Sequence, residues 1–148
     1  TNLNLTLARV ANCTHGGILN ICSICHYLNC AANIHLGSQW IETTPRFTSV
    51  RMNIDGRNIV MVTSPGESLV QLGNEVKSDA REMGADLTMV FGFANAHMGY
   101  FATAREYDVG GYESTLTLWG IATADKVRAA SSTVMKKVLL NYDAATKH

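Results

Sequence analysis

Charge is scarce in this chain, and neither sign prevails. Only 16% of the 148 residues are charged, with twelve basic against twelve acidic. That balance leaves no basic field to hold nucleic acid or an anionic membrane surface. Long apolar runs are also missing. None approaches the roughly 20 residues that a membrane span needs. Neither a Gly-x-Ser-x-Gly elbow nor a P-loop occurs, so two well-marked kinds of active site are excluded. There is no internal repeat and no low-complexity stretch. No secretory leader pattern is visible, and the start at Thr1 reads as that of a processed product.

What remains suits one folded domain: 47% of the residues are hydrophobic. All four cysteines, Cys13, Cys22, Cys25 and Cys30, crowd the first quarter, together with His15 and His26. A structural zinc knot and a disulfide framework both use such a cluster. The spacings do not form two Cys-x-x-Cys knuckles, which favours disulfides, with the pairing open. Asn4-Leu-Thr6 and Asn12-Cys-Thr14 are glycosylation sequons. Sequons and clustered cysteines together point to an oxidising compartment, so a secreted or lumenal glycoprotein is expected. Residues 1–45 therefore read as a Cys-rich N-terminal segment. Within it, alternating Leu3, Leu5 and Leu7 suggest a strand, and Ile18 to Cys30 a short helix.

Residues 46–148 carry clearer patterns. Phe47 to Ile54 reads as a strand, Asp55-Gly56 as a hairpin turn, and Ile59 to Val62 as the returning strand. Ser64-Pro65-Gly66 turns the chain. Leu69, Leu72, Val76, Ala80 and Met83 recur at helical spacing, so a helix is expected over Ser68 to Met83, with Glu67 in its first turn and Gly84 as its cap. Leu87 to Phe93 is apolar and reads as a central strand. Strand, helix and strand together predict a crossover in a partly parallel sheet. Gly110-Gly111 marks a tight turn, and a last helix is expected from about Ala124 to Tyr142 with Lys136 and Lys137 on its polar side. The expected fold is α/β: a mixed β-sheet flanked by helices, part of a larger catalytic domain.

The crossover brings the ends of its two strands to one side of the sheet, where open α/β proteins place their chemistry. Glu67 follows the first strand and Tyr100 the second. A carboxylate and a phenol meeting there suggest a metal site. Each residue also has a bland reading, as a helix-start carboxylate and a packing tyrosine. Two ligands do not complete a catalytic zinc site, which has three or more. His97 lies in the same loop, and a lone histidine is more often a satisfied polar residue than a ligand.

The stretch from about Arg46 to Gly120 resembles the neutral (alkaline, non-lysosomal) ceramidases. The resemblance rests on the order and spacing of several pieces. These are Pro65-Gly66-Glu67, Gly73 in the helix, Gly92 to Asn95, Gly99-Tyr100, Glu106-Tyr107, Tyr112-Glu113, and Thr117-Leu118-Trp119-Gly120. It implies a zinc-dependent hydrolase that cleaves the N-acyl bond of ceramide-like lipids, in sphingolipid metabolism. Glu67 and Tyr100 stand at positions of two zinc ligands, and Tyr112 at that of a tyrosine that polarises the amide or binds the oxyanion. The remaining two ligands, both histidines, are implied to come from a second polypeptide cut from the same precursor. The chain departs from the family at Leu69-Val70, Asn74-Glu75, His97 and Ala102-Thr103. Those departures favour an alternative: a non-catalytic secreted binding or structural protein descended from the same fold.

Overall fold

Asp55 and Gly56 both take positive φ, 51° and 80°, the conformation that a tight two-residue hairpin of matching twist requires. In this computed structural model, which describes residues 44–140, that turn joins β1 (Ser49–Ile54) to β2 (Arg57–Thr63). The two strands pair antiparallel, from Ser49 opposite Val62 to Ile54 opposite Arg57. Helix α1 (Val70–Glu82) then carries the chain across to β4 (Leu87–Phe91), which pairs parallel to β2. Gly84, at φ 93°, ends that helix as its sequence position predicts.

The strand order is β1-β2-β4, so β2 is central and β4 lies at an edge of this sheet among the described residues. This corrects the expectation of a central strand over Leu87 to Phe93. Leu87 and Phe91 are about half exposed. A short apolar run does not by itself distinguish a buried strand from an apolar strand at an edge. The strand also stops two residues early, because Phe93 adopts φ 54° and leaves the extended region.

A second, two-stranded parallel sheet pairs β3 (Glu67–Ser68) with β5 (Tyr100–Phe101). Two short helices follow, α2 (Ala104–Val109) and α3 (Tyr112–Thr115), and then the long α4 (Thr123–Leu139). Thr103 and Glu106 form a reciprocal capping box at the start of α2. Lys136 and Lys137 sit exposed in the last turn of α4.

Helices α1 and α4 lie side by side on one face of the three-stranded sheet, α1 against β4 and α4 against β1 and β2. Val60 and Val62 of β2 point into that layer and are buried. Leu72, Val76 and Ala80 meet them from α1, and Val127, Val134, Met135 and Leu139 from α4. Burying an aliphatic side chain of this size contributes about 1.5–3 kcal/mol, so this layer fixes the packing of helices on sheet. Arg128 of α4 locks the helix pair, holding Asp79 of α1 through two hydrogen bonds of 2.7 and 2.8 Å and Glu75 at 3.1 Å. The strand expected at Leu3–Leu7, the helix expected at Ile18–Cys30 and the far end of the last helix at Tyr142 lie outside the described residues.

Candidate metal centre

Glu67 is not in the first turn of a helix. The Glu67 and Leu69 N–H groups donate to the carbonyls of Gly99 and Phe101, at 2.9 and 3.3 Å. These cross-strand bonds hold the backbone extended, and α1 begins only at Val70. The consequence is geometric. Glu67 and Tyr100 are direct register partners in a parallel pair. Neighbouring strands lie roughly 4.8 Å apart, and partner side chains rise from the same face.

Close backbone approach makes this pairing possible. A Cβ on Gly66 would lie 2.5 Å from the Gly99 carbonyl oxygen and 2.8 Å from the Phe101 ring. A Cβ on Gly99 would lie 2.9 Å from the Leu116 carbonyl oxygen, and Gly99 has φ 77°. The loop between β4 and β5 is anchored on both sides. Its Ala94 and Phe93 N–H groups donate to the Ser64 and Gly66 carbonyls. Asn95, at φ 73°, reaches with its side-chain amide to the Arg46 carbonyl and the Thr63 hydroxyl, at 3.0 and 3.1 Å. The Trp119 indole N–H donates to the Met98 carbonyl at 2.7 Å, just before the Gly99-Tyr100 step. Thr117 accepts from the Ala102 N–H and donates to the Glu113 carbonyl, tying the end of β5 to α3.

That tie sets Tyr112, at the start of α3, edge-on to Tyr100, with ring centroids 5.6 Å apart and planes at 77°. The three residues singled out in the sequence thus gather at one place. Glu67 and Tyr100 are half-buried and Tyr112 is exposed. The Tyr100 phenol is held above its ordinary pKa, first by burial, then by the nearby Glu67 carboxylate and by Tyr112. Proton loss from Tyr100 beside Glu67 would place two negative charges together, and an adjacent cation reverses that preference. His97 sits on the exposed part of the loop with its ring stacked on Phe93 at 5.3 Å.

Carboxylate and phenol oxygens are competent ligands for a divalent cation. Together they make half of a tetrahedral set. Among the described residues, no group of three or more His, Cys, Asp or Glu gathers to make a fuller one. Glu67 and Tyr100 thus supply two oxygen donors of the kind a divalent cation takes, and the described residues alone do not complete a set. Beside Glu67 lies a shallow groove of about 240 Å³, bounded by Val70, Gly73, Lys77 and Phe93. The roles of Asn95, Thr117 and Trp119 were not evident from the sequence beyond their place in the family pattern, because each acts through a bond to a distant backbone atom. Asn4, Asn12, Cys13, Cys22, Cys25 and Cys30 lie outside the described residues.

No model of a known protein family matches the chain. Over 67 residues it is 33% identical to neutral ceramidase B of Dictyostelium discoideum, a match covering 42% of this chain and 9% of that protein. Neutral ceramidase A of the same organism matches to the same extent. The fold is similar to neutral ceramidase from Pseudomonas aeruginosa, with a TM-score of 0.53 and 22% identity over 56% of this chain and 14% of that one. A solved structure of a ceramidase complexed with C2 gives a TM-score of 0.50 at 22% identity, over 57% of this chain and 14% of that one. The chain thus spans about a tenth of the length of the curated relatives it matches. Its mixed sheet with flanking helices corresponds to part of the fold of that neutral ceramidase.

Proposed function

From this kinship to the neutral ceramidases, in sequence and in fold, we propose that the chain is one piece of a zinc-dependent amidase. Its substrate is a ceramide-like lipid, cleaved at the N-acyl bond. A second polypeptide from the same precursor supplies two histidines, and the assembly works in a secreted or lumenal setting. The observation that carries the reading is the in-register pairing of Glu67 with Tyr100, with Tyr112 beside them.

Glu67 and Tyr100 would hold the ion from one side. Zinc in such a site supplies Lewis-acid polarisation of a carbonyl oxygen and positive charge against a developing anion. The chain's own contribution is orientation. Cross-strand bonds fix the Glu67 backbone, and the Leu116 carbonyl accepts from the Tyr100 N–H at 3.4 Å, so neither ligand needs to reorganise. Tyr112, exposed and mounted on α3, donates its phenolic proton in a hydrogen bond to the amide oxygen as negative charge builds there. The groove beside Glu67, apolar at Val70 and Phe93 and polar at Lys77, offers an amphiphile a place next to the reacting atoms.

The test is Glu67→Ala in the full assembly, with zinc measured by elemental analysis and fatty-acid release measured on an N-acyl sphingoid lipid. Zinc at one per assembly in the native protein and its loss in the variant are expected. A zinc-loaded, active variant would overturn the assignment. The departures at Leu69-Val70 and Asn74-Glu75, three of which (Leu69, Val70 and Asn74) line that groove, favour the alternative of a non-catalytic secreted binding or structural protein. That reading predicts no zinc and no lipid cleavage in the native assembly.

A further inference from the structure

Gly73 is the one described glycine that neither backbone nor packing explains. Every other either takes a positive φ or stands where a Cβ would lie within 3.3 Å of a backbone oxygen. Gly73 does neither. It lies inside α1, where glycine is destabilising relative to alanine, and among the described residues a Cβ there would meet nothing within 4 Å. The open space belongs to the groove beside Glu67. Val70, Gly73, Asn74 and Lys77 recur at i, i+3, i+4 and i+7, so one face of α1 forms one wall of that groove. Val90, Gly92 and Phe93 form the other. Val70 is 80% exposed and Phe93 53%, so hydrocarbon on both walls stands in water.

We propose that Gly73 is a specificity-determining residue: its missing side chain keeps the groove open for a hydrocarbon chain flanking the scissile amide. The inference rests on the function proposed above. Glu67 belongs to both the groove and the candidate centre, so a chain attached to the amide reaches the groove directly. The lining suits an amphiphile, with Val70 and Phe93 against the hydrocarbon and Asn74 and Lys77 exposed at the edge. The volume is about 240 Å³. At roughly 30 Å³ for a water-sized group, it holds a run of about eight methylenes. The chain's own remaining residues suit the space less well. Residues 141–148 continue from α4, which meets α1 through Glu75 and Asp79, on a different flank from the groove. Residues 1–43 join ahead of β1, the strand farthest from β4 in the sheet. A permanent cover from either segment calls for no glycine, since a larger side chain at position 73 would fill the same space and strengthen the helix. Space kept open although it weakens α1 suits an occupant that enters and leaves.

The test compares Gly73→Leu and Gly73→Ala with the parent in the full assembly, on N-acetyl-, N-octanoyl- and N-palmitoyl-sphingosine. Leucine is a good helix former, so Tm should not fall, and zinc content should not change. In Gly73→Leu, kcat/KM on the chain that uses the groove should fall at least tenfold, with Gly73→Ala between it and the parent. Loss on the octanoyl and palmitoyl amides with the acetyl amide spared places the acyl chain there. Equal loss on all three, relieved in the acetyl amide of a short-chain base, places the sphingoid chain there. Undiminished turnover of the palmitoyl amide by Gly73→Leu, or equal loss that the short-chain base does not relieve, overturns the proposal. So does a Tm below the parent's in both variants, which marks the space as already filled by residues 1–43 or 141–148. A second arm uses N-palmitoyl-sphingosine carrying a diazirine in either chain, irradiated on the assembly, with the labelled peptides sequenced. Label at Val70 or Phe93 in the parent and its loss in Gly73→Leu are expected. Such labelling in a zinc-free, inactive assembly overturns the enzymatic reading alone. Zinc and amidase activity without it overturn the role of Gly73 alone, and an inactive, unlabelled assembly overturns both.

Discussion

Two glycines in this chain should respond oppositely to the same added methyl group. Gly66 packs where an added Cβ would meet the Gly99 carbonyl oxygen at 2.5 Å and the Phe101 ring at 2.8 Å. The carbonyl is backbone within a paired strand and has little room to give. Overpacking of this kind costs about 1–3 kcal/mol. The shift also strains the 2.9 Å bond from the Glu67 N–H to that carbonyl, worth about 1 kcal/mol. Gly66→Ala should therefore lose about 2–4 kcal/mol, a fall in Tm of roughly 8–15 °C. Gly73 lies inside α1, and a Cβ there would meet nothing within 4 Å. Gly73→Ala should gain about 0.5–1 kcal/mol from helix propensity alone. Equilibrium urea unfolding of the two variants and the parent measures both changes, with the slope checked for constancy. A Gly66→Ala protein as stable as the parent would refute the close approach that sets Glu67 beside Tyr100. The Gly73→Ala result shows whether the assay resolves changes of this size.

Arg128→Ala should destabilise by about 1–2 kcal/mol, discounted because that side chain is 41% exposed, and thermal melts at neutral pH measure it. The Arg128 guanidinium holds the Asp79 carboxyl below its usual pKa, opposed by burial and aided by Ser132. A carboxyl depressed in the folded state stabilises above its unfolded pKa, and that contribution is lost as pH falls through the folded value. The parent's advantage over Arg128→Ala should thus be full at neutral pH and vanish below the ordinary carboxylate range, read as converging Tm values on acidification. Asn95→Ala should cost about 1–2 kcal/mol, losing the amide bonds to Arg46 and Thr63 while keeping a φ of 73° that alanine resists. Asn95→Gly should recover part of that loss in the same unfolding assay. Tyr112→Phe should leave zinc content unchanged and lower turnover by about 10²–10³ if the phenol donates to the developing anion. Unchanged turnover would remove Tyr112 from the catalytic set.

The sequence was most legible where a local rule determines local structure. Asp55-Gly56 allows one kind of tight turn, and Gly84 one kind of helix end, and both appear where expected. The helical spacing of Leu72, Val76 and Ala80 reports their shared buried face. Expectations failed where partners distant in sequence decide. Glu67 follows a Pro-Gly turn as a helix-start carboxylate would, but the Gly99 and Phe101 carbonyls claim the N–H groups on either side of Ser68 and delay the helix to Val70. Leu87 to Phe93 looks like a buried central strand because its apolar residues are those of a face that no described residue covers. Helix α2 went unforeseen although Thr103 and Glu106 spell a capping box, since six residues leave almost no periodicity to detect. The bonds from Trp119 to Met98 and from Thr117 to Ala102 bridge 21 and 15 residues, and no sequence spacing announces them.

The displacement of Glu67 from helix to strand changes what controls its chemistry. In a helix's first turn, the macrodipole would steady its charge, and its side chain would point back along the helix. In β3 its direction is set by the pleat, and its neighbour by register. One residue of slip between β3 and β5 would send Glu67 and Tyr100 to opposite faces and separate them. That slip is resisted by main-chain contacts on both sides of the pair: the Glu67 and Leu69 donors to β5, the Met98 N–H on the Pro65 carbonyl, and the Trp119 bond to Met98. The candidate centre thus depends on backbone register more than on any ionic attraction between its members. Changes remote from the oxygens, at Gly66, Gly99 or Trp119, should therefore disturb the pairing of Glu67 with Tyr100 as surely as changes to the two residues themselves.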